Sequence, residues 1–589
     1  MKRKSLVGVV ALGAALTMGL AACGSSTGNS SNSNNGNSGN GGSVAAPDAA
    51  VGKIYNPSDV KGGTLRIANP GDFDSTDPAD TYYGYVWNFI RLYTRSLVTF
   101  NPKPGADSTK LVPDLAESLG TPSDGARTWT YKIRKGIKYE DGTEVTSADV
   151  KYDVERSLDK EVFPNGPTYL NDFLDLQGYK GPYQSKGVDL KAIETPDKYT
   201  IVFHLNKPFS GFDYFAQLPS TAPVPESKDT GSNYKKHVLS SGPYMFDGNY
   251  EPGKKLNLKR NPNWDQATDP LRRALPDRIE VALKVNAEDI DNRLISGDLD
   301  LDINGTGVQP ATQGKVLGNP DLKKNSDSAA IARLWYTSIN PDVAPFDNIH
   351  CRKAVEYAAN HTSYQTAYGG SPGGEVATNL MPPQVPGAKK TDLYNFGGKP
   401  EGDIDAAKSE LQQCGKPGGF TTNISYRTER PKEKATAESL QAALKRVGIT
   451  LNIKGFPQGD YFKLYAGKPA YAKNNGLGLM VNGWGADWPD GFGFLQQIAD
   501  SRVIRESGGN TNLSVKIPEV DQMFDQALQT TDLTAREGVW AQIDERVMKE
   551  AVILPGVWAH GLLYRPPNLK NVFVTDAYGM YDYTALSVK

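Results

Sequence analysis

Apolar and polar residues alternate in several short stretches of the chain, a pattern typical of strands with one buried face. Leu65 and Ile67 follow this period close to the start of the main body. The same period recurs at Trp129, Tyr131 and Ile133, at Ile201, Phe203 and Leu205, and at Leu256 and Leu258. These stretches predict half-buried β-strands spread over a long part of the chain.

Other segments repeat their apolar residues with the period of a helix. Val150, Val154 and Leu158 are four residues apart, and Thr146 with Asp149 forms a capping box in front of them. Two further apolar faces consist of Val520, Met523, Phe524, Ala527 and Leu528, and of Val539, Trp540, Ile543, Val547 and Met548. These patterns predict amphipathic helices.

One region combines both periods. Residues 421–427 read as a strand and residues 434–447 as a helix, and Gly448 stands where a left-handed C-cap belongs. The alternation of Ile449, Leu451 and Ile453 predicts the next strand. Such β-α-β units favour sheets covered by helices, so we predict an α/β fold with more than one sheet.

Composition and charge narrow the possible functions. The chain has 589 residues, a net charge of −2 and a pI near 6.3, which makes nucleic acid a poor partner. It has no nucleophile elbow, no zinc-protease helix motif and no phosphate-binding loop, and its five histidines have no metal-ligand spacing. We therefore predict a protein that is not an enzyme and holds no cofactor and no metal.

The N-terminus resembles an export signal. A basic start and an apolar segment predict a signal peptide over residues 1–22, and the following Cys23 matches a bacterial lipidation site. An ordinary cleaved signal is the alternative. Only Gly, Ser, Asn and Thr occupy residues 24–43, so we predict a disordered, lipid-anchored linker over residues 23–60. The expected location is the extracytoplasmic face of the cell membrane.

Two cysteines remain in the body, Cys351 and Cys414. An exported protein meets oxidising conditions, which favour a disulfide between them. Two buried thiols are the alternative.

Several blocks together resemble the family 5 extracellular solute-binding proteins, the peptide- and nickel-binding receptors of bacterial ABC importers. The most specific block runs from Leu111 through Trp129 to Val150, and Trp484-Gly485-Ala486-Asp487 resembles another family motif. Further matches lie at residues 62–68, 241–244, 259–264 and 345–355.

The resemblance implies a two-lobed clamp of the type II periplasmic-binding-protein kind with an extra α/β domain. By analogy, residues 61–81, 195–305 and 556–589 form lobe 1, residues 82–194 form the extra domain and residues 306–555 form lobe 2. The implied function is a monomeric lipoprotein that captures oligopeptides in a closing cleft. It would deliver them to an ABC permease powered by partner ATPases.

The resemblance also suggests ligand contacts. Asp487 occupies the position of the carboxylate that pairs with a peptide α-amine, and Trp484 stands beside it. Tyr83 at the cleft mouth and Thr306 near the lobe crossover are further candidates. Three of them have a structural alternative: a turn carboxylate for Asp487, core packing for Trp484 and a helix start for Tyr83. No arginine is assigned to the ligand carboxylate.

Other functions remain open at this point. The first alternative keeps the receptor class and changes the ligand to a nickel chelate, a sugar or a signalling peptide. A secreted hydrolase and a purely structural surface lipoprotein are the alternatives from other classes.

Overall fold

The computed structural model describes residues 45–530 and 532–589. The predicted signal peptide, Cys23 and the first part of the predicted linker lie outside the described residues. The strands are β1 (Thr64–Ala68), β2 (Val98–Phe100), β3 (Leu111–Pro113), β4 (Thr121–Ser123), β5 (Thr128–Lys132), β6 (Ile193–Asp197), β7 (Thr200–His204), β8 (Tyr244–Phe246), β9 (Lys255–Arg260), β10 (Arg278–Ala282), β11 (Leu301–Asp302), β12 (Ser326–Ile339), β13 (Gly374–Val376), β14 (Thr421–Arg427), β15 (Thr450–Phe456), β16 (Leu477–Gly485), β17 (Ile553–Tyr564), β18 (Val574–Thr575) and β19 (Met580–Tyr581).

Helices alternate with these strands along the chain. They are α1 (Gly84–Ile90), α2 (Ser147–Leu158), α3 (Tyr169–Phe173), α4 (Asp213–Ala216), α5 (Ala287–Ser296), α6 (Pro310–Gly318), α7 (Pro320–Lys323), α8 (Ile349–Ala358), α9 (His361–Ala367), α10 (Ile404–Gln413), α11 (Pro431–Lys445), α12 (Pro469–Asn474), α13 (Gly491–Ala499), α14 (Pro518–Gln529) and α15 (Leu533–Lys549).

Lobe 1 is built on a five-stranded sheet with the order β11-β1-β10-β9-β8. The alternation in β1 places Leu65 and Ile67 in its core, and β9 contributes Leu256 and Leu258. Strand β1 runs parallel to β10 and β11, whereas β9 runs antiparallel to β10. The predicted one-sided strands are therefore confirmed here.

The extra domain has an antiparallel sheet with the order β4-β5-β7-β6. Trp129 and Tyr131 of β5 point into its core, and α2 starts at the predicted capping box, where the Asp149 carboxylate accepts the Thr146 N–H at 2.8 Å. Buried ion pairs fix this domain to lobe 1. Arg156 of α2 donates to Asp77 at 2.6 and 2.9 Å, and Arg272 donates to Asp114 at 2.6 Å.

Lobe 2 is built on a six-stranded sheet with the order β13-β17-β12-β16-β14-β15. The predicted β-α-β unit is confirmed as β14, α11 and β15, and Gly448 has a φ of +85° at the predicted C-cap. Long strand β12 pairs with β16 on one side and β17 on the other. This pairing places the Trp484–Asp487 motif beside the middle of β12.

The strand pairing places several domain boundaries at positions that differ from the predicted ones. The hairpin of β6 and β7 pairs with β5, so the extra domain continues past residue 194. Helix α1 packs in the lobe 1 core rather than in the extra domain. Strand β17 pairs with β12, so the chain leaves lobe 2 after Tyr564 instead of residue 555. The hydrogen bonds between strands determine these boundaries, and the sequence pattern does not show which strands pair.

The predicted linker is also shorter than expected. Residues 45–60, here called the N-terminal strap, lie against the body. Ala50 and Tyr55 are buried, and their backbone N–H groups donate to Asp327 Oδ1 at 2.9 Å and to the Val572 carbonyl at 2.7 Å. The prediction of disorder is therefore wrong for the strap, because Ala50 and Tyr55 pack against the folded body and form backbone hydrogen bonds with it.

Candidate ligand-binding cleft

A cleft that is partly open to solvent lies between the two lobes. The predicted site residues Tyr83, Thr306, Trp484 and Asp487 all line it. Its wall also includes Asp74, Tyr82, Tyr85, Trp87, Asn165, Asn304, Ile331, Arg333, Arg427, Arg430, Phe462, Asp576 and Tyr578. The cavity thus brings together residues from lobe 1, the extra domain, lobe 2 and the C-terminal segment.

Asp487 follows β16 and faces two tyrosines from other parts of the molecule. The hydroxyls of Tyr82 and Tyr169 donate to its Oδ2 at 2.8 and 2.6 Å. Burial raises the pKa of Asp487 to about 7, although both hydroxyl donors act in the opposite direction. The carboxyl is therefore a polar group at the point where lobe 1, the extra domain and lobe 2 meet.

Aromatic rings surround this carboxyl. The Trp484 ring lies edge-on to Tyr82 at 5.8 Å, and Tyr82 stacks on Trp87 at 5.5 Å. The Trp484 indole N–H donates to the Phe494 carbonyl at 2.6 Å, which fixes the ring in the cleft wall. Trp484 and Trp488 are both buried, but only Trp484 is among the residues that line the cavity, whereas Trp488 stacks on Tyr214.

Tyr83 and Thr306 take part in contacts between the lobes. The Tyr83 hydroxyl donates to the Gln458 carbonyl of lobe 2 at 2.7 Å, and the ring stacks on Tyr85 at 5.6 Å. The Thr306 carbonyl accepts the Lys432 ammonium of lobe 2 at 3.2 Å. Both residues therefore line the cavity while their polar atoms bridge the two lobes.

Three arginines that the sequence analysis does not single out also line the cavity: Arg333, Arg427 and Arg430. Arg427 is paired with Glu433, with Nε 2.9 and 3.0 Å from the two carboxylate oxygens, and Arg430 Nε donates to Gln458 Oε1 at 2.7 Å. Arg333 lies over the Trp335 ring at 5.3 Å. A signal for Arg333 is present in the sequence, because it is a cation inside a long, mostly apolar strand.

Cys351 and Cys414 are neighbours, with Cα atoms 5.2 Å apart. This separation is within the range that a disulfide requires. Both residues lie in the lobe 2 core, where Cys351 is fully buried. The disulfide is a prediction about the exported protein that this geometry permits.

Across residues 45–530 and 532–589, no helix combines the length and the apolar character needed to cross a bilayer.

Comparisons with known proteins agree with this architecture. Residues 110–505 match the family model described as bacterial extracellular solute-binding proteins, family 5 Middle. The solved structure of clavulanic acid biosynthesis oligopeptide binding protein 2 is similar, with 43% identity and a TM-score of 0.82. The alignment covers 92% of this chain and 98% of that one.

Two curated relatives are more distant. Heme-binding protein A of Haemophilus influenzae is 26% identical, over 82% of this chain and 85% of that protein. The probable D,D-dipeptide-binding periplasmic protein DdpA of Escherichia coli is also 26% identical, over 83% and 87%. The fold is the two-lobed α/β clamp of type II periplasmic binding proteins, as predicted. The chain belongs to the bacterial extracellular solute-binding proteins of family 5, and it is a binding protein of a transport system rather than an enzyme.

Proposed function

We propose that this chain is an extracytoplasmic lipoprotein receptor that captures oligopeptides in the interlobe cleft and delivers them to an ABC permease. Cys23 is the lipid attachment site in this proposal, and residues 24–44 form the tether to the membrane. Partner ATPases supply the energy for transport. The names of two similar proteins, an oligopeptide binding protein and a D,D-dipeptide-binding protein, support a peptide ligand.

The observation that carries the peptide proposal is the position of Asp487. A peptide α-amine is cationic at neutral pH, and its burial in a closed cleft is costly unless a carboxylate pairs with it. Asp487 lines the cavity, and its Oδ1 accepts no hydrogen bond from the described residues. We assign this oxygen to the ligand amine.

The other predicted residues have secondary roles in this proposal. Trp484 and Tyr83 form apolar walls that keep water away from the ion pair, which strengthens it. Thr306 lies beside the crossover between the lobes and donates its hydroxyl to the ligand backbone. A ligand that touches both lobes selects the closed form, and the closed form is the shape that the permease recognises.

Native mass spectrometry of residues 45–589 tests the proposal. The protein is stripped of bound molecules and then mixed with a random peptide library. We expect retained peptides in the unmodified protein and a large loss of them in Asp487→Asn. The matched control is Asp576→Asn, which removes another carboxylate from the cavity wall and should have a smaller effect.

Three outcomes separate the possibilities. Peptides lost only in Asp487→Asn support both the ligand class and the amine site. Peptides retained equally in both variants keep the receptor but refute the role of Asp487. An unmodified protein that retains no peptide contradicts the peptide proposal, and sugars and metal chelates are then the solutes to test.

A further inference from the structure

We propose that a recess at the seam between the extra domain and lobe 2 binds a small zwitterion with an apolar side chain, such as a free apolar α-amino acid. The recess is partly open to solvent. The extra domain contributes Asp172, Phe173 and Lys207 to its wall, and lobe 2 contributes residues of α13, of the loop after it and of α14. None of these residues lines the interlobe cleft, so the inference goes beyond the proposed function.

Both sides of the seam are needed to build the recess. The Gln496 amide of lobe 2 donates to Asp172 Oδ2 of the extra domain at 3.2 Å, and the Phe173 ring packs edge-on against Phe492 at 5.8 Å. The extra domain is fixed to lobe 1 by buried ion pairs. A separation of the two lobes would therefore break these contacts and open the recess.

The recess contains one cation without a polar partner. The Lys207 ammonium lies 4.2 Å from the centroid of the Phe173 ring, and among residues 45–530 and 532–589 it has neither a hydrogen bond nor an ion pair. Burial is the first cause that lowers its pKa. Because a partly buried ammonium without a partner is unfavourable, this group is a ready site for the anionic group of a ligand.

A carboxylate with one free oxygen lies in the same recess. Asp172 accepts hydrogen bonds from the Gln496 amide at 3.2 Å and from the Thr168 hydroxyl at 3.1 Å, and both reach Oδ2. Its Oδ1 accepts no hydrogen bond from the part of the chain that the structure describes. Burial raises the pKa of this carboxyl to about 6, so a cationic donor from a ligand would favour its ionised form.

The other charges of the recess compensate each other. Arg502 donates to the two carboxylate oxygens of Asp500 through Nε and Nη2, at 2.9 and 2.8 Å, and its Nη1 donates to Asp525 at 2.9 Å. Lys207 and Asp172 are the two charges that remain. A single molecule that carries an anionic and a cationic group satisfies both of them.

The rest of the wall is apolar and includes Phe173, Phe492 and Leu528. An α-amino acid fits this arrangement, because its carboxylate binds Lys207, its ammonium binds Asp172 Oδ1 and its side chain covers the apolar wall. Burial of an aliphatic or aromatic side chain adds affinity that glycine lacks. Since the charges belong to the extra domain and much of the apolar wall belongs to lobe 2, the bound molecule favours the closed form.

Calorimetric titration of residues 45–589 tests the site, with leucine as the probe. Leucine amide, N-acetyl-leucine and glycine are the comparison probes, because they lack the carboxylate charge, the ammonium charge and the apolar side chain, respectively. Each probe is titrated into the unmodified protein and into Lys207→Gln, Asp172→Asn and Leu528→Ala. Asp487→Asn is included because it changes the interlobe cleft and leaves the recess intact.

Matched controls change the same types of residue elsewhere. Lys191 and Asp189 form an exposed ion pair on the extra domain, so Lys191→Gln and Asp189→Asn remove the same charges outside the recess. Leu393→Ala shortens an exposed leucine of lobe 2. The melting temperature of each variant checks that the folded state is preserved.

We expect leucine to occupy one site, and Lys207→Gln and Asp172→Asn each to weaken its binding by about 10- to 100-fold, as for loss of a hydrogen bond between charged groups. The amide and the N-acetyl derivative should be weaker than leucine by similar factors. Glycine should also bind more weakly than leucine, and Leu528→Ala should reduce this difference. The control variants should stay within about twofold of the unmodified protein.

Leucine binding that is weakened in the recess variants and unchanged in Asp487→Asn supports the inference. Absence of saturable leucine binding, or equal affinity in Lys207→Gln and the unmodified protein, overturns it. Binding that is lost in Asp487→Asn and kept in the recess variants places leucine in the interlobe cleft and also overturns it. Peptide retention is a separate measurement, so the proposed function can fail while this site stands.

Discussion

Replacing Asp487 by asparagine keeps the shape of the side chain and removes its charge. Asparagine still offers an oxygen to the hydroxyls of Tyr82 and Tyr169, so both hydrogen bonds can persist. We expect the ligand-free protein to become more stable at alkaline pH, although the same change removes the proposed amine anchor. Functional sites often sacrifice stability in this way.

The magnitude follows from the pKa. Burial raises the pKa of Asp487 from 3.8 to about 7. A raised pKa means that the carboxyl contributes to stability below its unfolded pKa and that this contribution is lost as the pH rises through about 7. At about 1.36 kcal/mol per pKa unit, the shifted titration of this carboxyl lowers the free energy of unfolding by about 4 kcal/mol at pH 8, where the folded state holds the ionised form, and by about 2 kcal/mol at pH 5, where folding requires protonation.

Calorimetric melting of stripped protein measures this cost. A body of roughly 540 residues has an unfolding entropy near 1.1 kcal/mol/K, so the variant should melt about 4 °C higher at pH 8 and about 1–2 °C higher at pH 5. Asp347→Asn, at an exposed aspartate outside the cavity, is the control and should change neither value. A variant that melts no higher than the unmodified protein at pH 8, or a gain that does not shrink at pH 5, would refute the reasoning.

Three further changes have defined outcomes. Tyr169→Phe removes a donor that favours the ionised carboxyl of Asp487, so the pH below which peptides are released should move upward in a titration of affinity against pH. Replacing Cys351 and Cys414 by alanine opens a loop with a sequence separation of 63; if the disulfide forms, chemical unfolding should show a loss of about 4 kcal/mol, and reductant should have no further effect. Deleting the N-terminal strap should lower the melting temperature relative to a chain that begins at residue 45, and equal melting would show that the strap adds nothing.

Local signals predicted much of the fold, and long-range pairing decided the rest. The unit of β14, α11 and β15 was predictable, because strand alternation, helix period and a C-cap glycine all lie within one stretch of chain. The boundary predicted at residue 194 cuts through the hairpin of β6 and β7, because its alternation looks the same whichever sheet it joins. The sequence predicts a linker for the strap because its composition resembles one, and Tyr55 is the residue that indicates packing.

The candidate site shows the same division. Asp487 was selected through its motif, and it does line the cleft. Its partners Tyr82 and Tyr169 are 405 and 318 residues away along the chain, and no local pattern connects them to it. Arg333 stands in a mostly apolar stretch of the sequence, but the sequence does not show that the pairing of β12 with β16 places it opposite Gly485.

The contacts of Asp487 explain how a ligand can close the cleft without breaking what already joins the lobes. Both tyrosine hydroxyls donate to Oδ2, so an amine that binds Oδ1 adds a hydrogen bond and displaces none. It also lowers the pKa of the carboxyl, which recovers part of the energy that burial costs. In the proposed function, a cationic ligand amine therefore stabilises the closed form at a place where the empty cleft is electrostatically unfavourable, and this difference between the states is what allows binding to drive closure.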